Sequence, residues 1–246
     1  LVLSYLSYMP FDGQVSDAFS LDGARLSDAA EYFLEYGLSS SCMIDSDKED
    51  CLLLEAVKDS ERFGTLRLTG YENHFDEATQ EQFSAITFLL PDGPAFVAFR
   101  GTDSSVVGWK EDFNMSFSSE VPSQGAALDY ITRASQALPM RAVLGGHSKG
   151  GNLAVYAASR CPEELQSRIL AVYNNDGPGF TEALMGDPGY RAMVPKIHSF
   201  VPESSVVGLL LEHEEPCTVI KSRQVSILQH DEYSWEVLGG DFVRVE

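Results

Sequence analysis

The sequence predicts an α/β fold, with a mainly parallel central sheet, helices on both faces and an antiparallel N-terminal hairpin. Three observations carry this expectation. Beyond residue 95, short apolar runs of strand length alternate with longer segments of helical periodicity. Before it, β-branched and aromatic runs are separated by Pro91-Asp92-Gly93-Pro94, a turn sequence. Finally, 44% of the 246 residues are hydrophobic and only 11 are proline, so a sizeable core can be buried. No linker-like stretch divides the chain, and residues 1–246 are expected to form a single domain.

The elements follow in order. Between Gly23 and Gly37, the residues Leu26, Ala29, Ala30, Phe33 and Leu34 recur at helical spacing, which predicts an amphipathic helix. Cys51 to Val57 predicts another, so residues 1–64 read as a helical region packing on a 65–246 core. Leu66-Arg67-Leu68 and Phe83 to Leu90 read as strands, and Ala95 to Phe99 returns from the turn to complete the hairpin. Next come a helix over Ala126 to Leu138, a strand over Ala142 to Leu144 and a helix over Asn152 to Arg160. Strands follow at Ile169 to Tyr173 and Lys196 to Val201, then an apolar helix ending at His213. Strand–helix alternation implies parallel pairing, and in such sheets ligands bind beyond the carboxyl ends of the strands.

Charge narrows the function classes. Lys+Arg number 17 against 37 Asp+Glu, a formal net charge of −20. Nucleic acids and anionic membranes are engaged through basic patches that displace counterions, so neither is an expected partner. No run of about 18 apolar residues suggests an integral membrane span. With no leader-like opening segment, a cytoplasmic location is expected. Cys42, Cys51, Cys161 and Cys217 are widely spaced and do not cluster with histidines, which points to reduced thiols and to no metal site.

The stretch Ala142 to Ala154 contains Gly146-His147-Ser148-Lys149-Gly150, a G-x-S-x-G string between a predicted strand and a predicted helix. That context defines a nucleophile elbow, in which small residues let strand and helix approach and the serine sits on a strained turn. Its hydroxyl is then presented at a helix N-terminus, where free amides favour developing negative charge. A neutral hydroxyl is a weak nucleophile, so a base and an orienting acid are required from elsewhere. Lys149 is unusual in the first helical turn, where a cation opposes the helix dipole; it either points to solvent or is held by an acidic neighbour.

A second segment, Ala98-Phe99-Arg100-Gly101-Thr102-Asp103-Ser104, ends the strand before the elbow. Together with Gly146 to Gly151 it resembles the class 3 lipases, and within that circle a bacterial Mbeg-like family related to them. The resemblance spans roughly residues 80 to 236 and implies an α/β-hydrolase fold without metal or organic cofactor. It implies that Thr102 serves an oxyanion hole, together with the amide of Lys149. Gly108-Trp109-Lys110-Glu111-Asp112-Phe113 is similar to the Trp-containing segment that opens the lid region of those lipases. Leu228 to Trp235 is similar to their histidine loop, which implies that His230 is the general base. Among the other histidines, His147 adjoins the serine on a sharp turn, where packing beside the elbow is the expected role. His74 precedes the core, and His198 lies inside a strand.

Two carboxylates compete for the acid. Class 3 lipases carry an aspartate after the strand matching Lys196 to Val201, but here Val201-Pro202-Glu203-Ser204-Ser205 puts Glu203 or a serine there. Asp176, in Asn174-Asn175-Asp176-Gly177-Pro178, ends the strand after the elbow, where some α/β hydrolases place their acid. The choice leans to Asp176, whose short side chain is held more rigidly. The resemblance implies a serine esterase or lipase cleaving a small-molecule ester or thioester with an apolar acyl part. Trp109, Phe113, Met115 and Phe117 line an acyl pocket or cover in that reading, and are ordinary core otherwise. The alternatives are a peptidase or amidase on the same fold, and a hydrolase-like binding protein without catalysis.

Overall fold

The computed structural model describes residues 1–36, 47–79, 81–91, 93–102 and 120–245. An eight-stranded sheet organises the chain: β1 (Ala24–Arg25), β2 (Arg67–Asp76), β3 (Glu81–Leu89), β4 (Ala95–Phe99), β5 (Ala142–His147), β6 (Ile169–Asn175), β7 (Ile197–Pro202) and β8 (Cys217–Ile220). The strands lie side by side in sequence order. Pairing is antiparallel from β1 to β4 and parallel from β4 to β8. The expected hairpin is β3–β4, with Phe88 opposite Phe96. β4 was legible residue by residue, whereas β2 runs much further than its Leu-Arg-Leu start, since its outer half is polar and exposed.

The parallel part rests on alternation. Helix α4 (Pro122–Ala137) joins β4 to β5, α5 (Lys149–Arg160) joins β5 to β6, and α6 (Glu163–Arg168) closes that crossover. The face of α4 carrying Ala127, Tyr130, Ile131 and Ala134 is buried with Leu153, Val155 and Ala158 of α5 against Val97, Leu144 and Val172 of the sheet. Eleven of the twelve residues of α5 are buried, Lys149 included, which is why its alanines and glycines outnumber its polar residues. On the other face the N-terminal elements form a second core. There Leu6, Met9 and Phe11, together with Leu26, Ala30 and Phe33 of α2 (Leu26–Tyr36) and Leu54 of α3 (Asp47–Lys58), pack on Leu68, Ile86, Phe88 and Ala98.

One expected element is absent. The apolar run before His213 forms no helix; residues 205–212 make a loop in which Leu211 takes φ 63° and Leu209 and Leu210 are exposed. A left-handed leucine ends any helical repeat, and the loop is fastened instead by the bridge between Glu212 and Phe180. No helix among the described residues is long and apolar enough to cross a membrane. The lid-like segment with Trp109, Phe113, Met115 and Phe117, and Cys42 with it, lie outside the described residues.

Candidate active site

Ser148 links the end of β5 to α5 with φ 57° and ψ −133°, a conformation a non-glycine residue holds only when its surroundings over-determine it. Those surroundings are local. The Ser148 amide donates to the Asn175 carbonyl at 2.9 Å, and its carbonyl accepts from the Gly151 amide at 2.9 Å. A Cβ on Gly146 would run into the main chain of Gly150, and one on Gly150 into the carbonyl of Phe99. The two glycines of the motif are therefore fixed by backbone approach.

The loop after β4 lies against this turn. A Cβ on Gly101 would stand 3.1 Å from the Ser148 Cβ, which sets Thr102, half-buried, next to the elbow. Lys149 is buried, which excludes a solvent-facing side chain; its Nζ donates to the main-chain oxygen of Gln82 at 2.7 Å and to its Oε1 at 2.9 Å. The cation is thus drawn out of the helix mouth toward β3, and the Lys149 amide opens α5 immediately after the serine.

Asp176 follows β6 at φ 53° and is 1% exposed. Its Oδ2 accepts a hydrogen bond from His230 Nδ1 at 2.7 Å, and its Oδ1 one from the Ser205 hydroxyl. The Asp176 amide donates to the Phe200 carbonyl at 2.8 Å, so β6 and β7 together set the carboxylate's height. Asn152 of α5 donates to the carbonyls of Pro178 and Gly179 at 3.1 Å while accepting from Gln124. The turn carrying Asp176 is thereby locked to the helix carrying the serine. Glu203 is exposed on a turn, and no hydrogen bond or ion pair joins it to His230 among the described residues. Ser205, two positions on, reaches Asp176 instead.

His230 ends a 3-10 turn, Ser226–His230, inside a loop that closes on itself. The Trp235 indole donates to the Gln229 carbonyl at 2.8 Å, and the Gln229 side chain accepts from the Ser204 amide at 2.7 Å. The His230 side chain is 25% exposed, and with Nδ1–H committed to Asp176 its Nε2 is left as the lone-pair nitrogen able to accept a proton. His147 also meets this loop, its Nε2 lying 2.8 Å from the His230 carbonyl and its ring 4.5 Å from the His230 ring. Burial, with the neighbouring His230 second, holds the His147 imidazole well below the usual histidine range. Glu232 is also buried beside it, and burial pushes its carboxyl up to about 8.

Ser148, His230, Asp176, Thr102 and Lys149 therefore fall at one end of the sheet; Glu203 follows β7 at that same end, but the histidine's bond goes to Asp176. Asn152 carried no sequence signal; Ser205 had one, since it stands where the resemblance to class 3 lipases places a carboxylate. Of the remaining histidines, His74 is exposed on β2 and His198 stacks on Tyr173. Among the described residues no group of three or more His, Cys, Asp or Glu could hold a metal ion.

The comparisons with known proteins bear on the fold and the family. The model of a family described as Mbeg1-like matches residues 57–246. No curated protein matches the chain. Among solved structures, M37 lipase is similar with a TM-score of 0.51 and 16% identity over 84% of this chain and 67% of that one. A mutant form of MDLA from Penicillium cyclopium is similar with a TM-score of 0.52 and 16% identity over 90% of this chain and 77% of that one. The mostly parallel sheet and these likenesses establish an α/β-hydrolase fold related to that of lipases.

Proposed function

We propose that this chain, which belongs to the Mbeg1-like family, is a serine hydrolase that cleaves a carboxylic ester or thioester through an acyl-serine intermediate. The observation that carries the proposal is the 2.7 Å hydrogen bond from His230 Nδ1 to the buried Asp176, in a loop bonded to the residue preceding a strained serine. In this reading Asp176, not Glu203, fixes the tautomer and stabilises the imidazolium that forms. His230 Nε2 takes the Ser148 proton as Oγ attacks the acyl carbon, then returns it to the departing alcohol or thiol. Water, deprotonated by the same nitrogen, attacks the acyl-serine and releases the acid and free Ser148.

The oxyanion is stabilised by the Lys149 amide at the mouth of α5 and by Thr102, whose strand end lies against Ser148. This chemistry asks for no cofactor. The substrate is a small ester with an apolar acyl part, and the net charge of −20 favours a neutral one over an anionic one. Hydrolysis of p-nitrophenyl acetate tests the reading: the account expects a burst of nitrophenolate approaching one equivalent of protein when deacylation is slow, and none from Ser148→Ala. Hydrolysis that survives Ser148→Ala unchanged would overturn it.

A further inference from the structure

We infer that His147 is a positioning residue for the base, tying the main chain of His230 to the nucleophile's own turn. This rests on the serine-hydrolase reading and adds to it a residue with which that mechanism has no direct need. His147 Nε2 lies 2.8 Å from the His230 carbonyl, a group that can only accept, so Nε2 carries the proton. Nδ1 is then a lone pair, and the Tyr8 hydroxyl, 3.1 Å away, donates to it. Both ring nitrogens are occupied by the neutral imidazole, and burial of the ring favours the same state.

Geometry gives this arrangement its consequence. His147 immediately precedes Ser148, so the side chain beside the nucleophile grips the backbone of the base, 83 residues further along the chain. The two imidazoles lie 4.5 Å apart at 35°, and Trp235 meets His147 edge-on at 6.0 Å. Glu232 Oε2, 3.9 Å from Nδ1, is beyond hydrogen-bond reach; with a neutral ring and a carboxyl pushed up to about 8, the contact at neutral pH is not an ion pair. Tyr8 lies just beyond α1 (Val2–Leu6), so the N-terminal segment reaches His147 through the Tyr8 hydroxyl. The loop is also braced through Tyr233, which donates to Asp50 of α3 at 2.9 Å and lies tilted at 48° against Tyr5, 4.2 Å away. A misplacement of a reacting group by about 1 Å costs on the order of 10²-fold in rate, which is the size of effect a lost tether should have.

The test uses the full chain and two reagents, a fluorophosphonate probe and p-nitrophenyl acetate. His147→Phe keeps an aromatic ring without the hydrogen bond, and His147→Gln restores a donor near the Nε2 position. The expected result is a labelling rate and kcat down about 10²-fold in the Phe variant with KM nearly unchanged, and recovery of most of that loss in the Gln variant. Tyr8→Phe should cost about 2- to 10-fold in kcat and serves if the Phe variant does not fold. Native kcat in a folded His147→Phe, or a Tyr8→Phe variant without effect when that variant alone is folded, overturns the positioning role. Failure of the native chain itself to label would instead remove the serine-hydrolase reading beneath it.

Discussion

Two clusters in this molecule are built from the same parts. At the end of β6, Asp176 accepts from a serine hydroxyl and from a histidine Nδ1. On β7 and the loop before β8, Glu215 accepts from Ser199 at 2.6 Å, from His213 Nδ1 at 2.9 Å and from Tyr190 at 2.8 Å. The difference lies beyond the pair. His230 keeps a quarter of its side chain exposed beside the elbow, whereas His213 is 9% exposed and its Nε2 faces no hydrogen-bond partner among the described residues. A carboxylate behind an imidazole is therefore no sign of catalysis by itself; what the second ring nitrogen faces decides. The Glu215 cluster fastens the loop of residues 205–216 to the sheet, and in the proposed mechanism the Asp176 cluster aims a base.

Substitutions can separate the two roles. Asp176→Asn leaves a hydrogen-bonding shape with the wrong donor pattern and should lower kcat by about 10⁴-fold, while Glu203→Gln, on its exposed turn, should change it less than about twofold. Equal losses in the two variants would break the assignment of the acid. Glu215→Gln should do the reverse, lowering unfolding free energy by about 3–5 kcal/mol because buried donors lose their ion; kcat per folded molecule should stay near native. A large fall in kcat with native denaturation midpoint would erase the contrast between the clusters.

The buried carboxyls also differ in their response to pH. Burial pulls the Glu215 carboxyl up, but the hydrogen bonds from His213, Ser199 and Tyr190 outweigh it and hold the group below its usual range. Its folded form binds the proton less readily than its unfolded form, so its stabilisation is present above the unfolded pKa and lost as pH falls through the folded one. Glu232 has the opposite sign. Raised to about 8 by burial, it keeps its proton in the folded chain where the unfolded chain has released it, so stability declines as pH rises from about 4.3 to about 8. Glu232→Gln should be neutral at pH 5 and stabilising at pH 8, on the order of 2 kcal/mol once relaxation of the loop has reduced the full cost. Denaturant midpoints at the two pH values measure it, and a difference that does not grow with pH would contradict the buried, protonated state. Smallest of all, a neutral ester should be preferred over an anionic analogue by a few-fold in low salt, and the gap should shrink at about 1 M salt.

How much of this was legible before the fold was known depends on how local the signal is. β4, β5 and the elbow were readable because β-branched runs and a glycine-flanked serine encode strand, turn and helix within about a dozen residues. The choice between Asp176 and Glu203 was not, because it depends on the relative heights of β6 and β7, which the Asp176 amide on the Phe200 carbonyl ties together between strands distant in sequence. Leu209-Leu210-Leu211 misled for the opposite reason: an apolar run resembles a buried helix, yet these side chains surface on a loop whose carbonyls are used by Gly179 and Phe180. His147 was placed beside the elbow correctly, but its bond to the His230 main chain joins segments far apart in sequence. Tyr8 belongs to a region whose sequence carries no catalytic motif at all.

The central claim is that Ser148 is a nucleophile activated by His230 and Asp176. Intact-mass measurement after exposure to a fluorophosphonate probe tests it most directly. The account predicts one adduct per chain, mapped to the peptide containing Ser148, absent in Ser148→Ala and formed far more slowly in Asp176→Asn. A native chain that stays unmodified where a control lipase reacts fully, or an adduct that persists in Ser148→Ala, would contradict it.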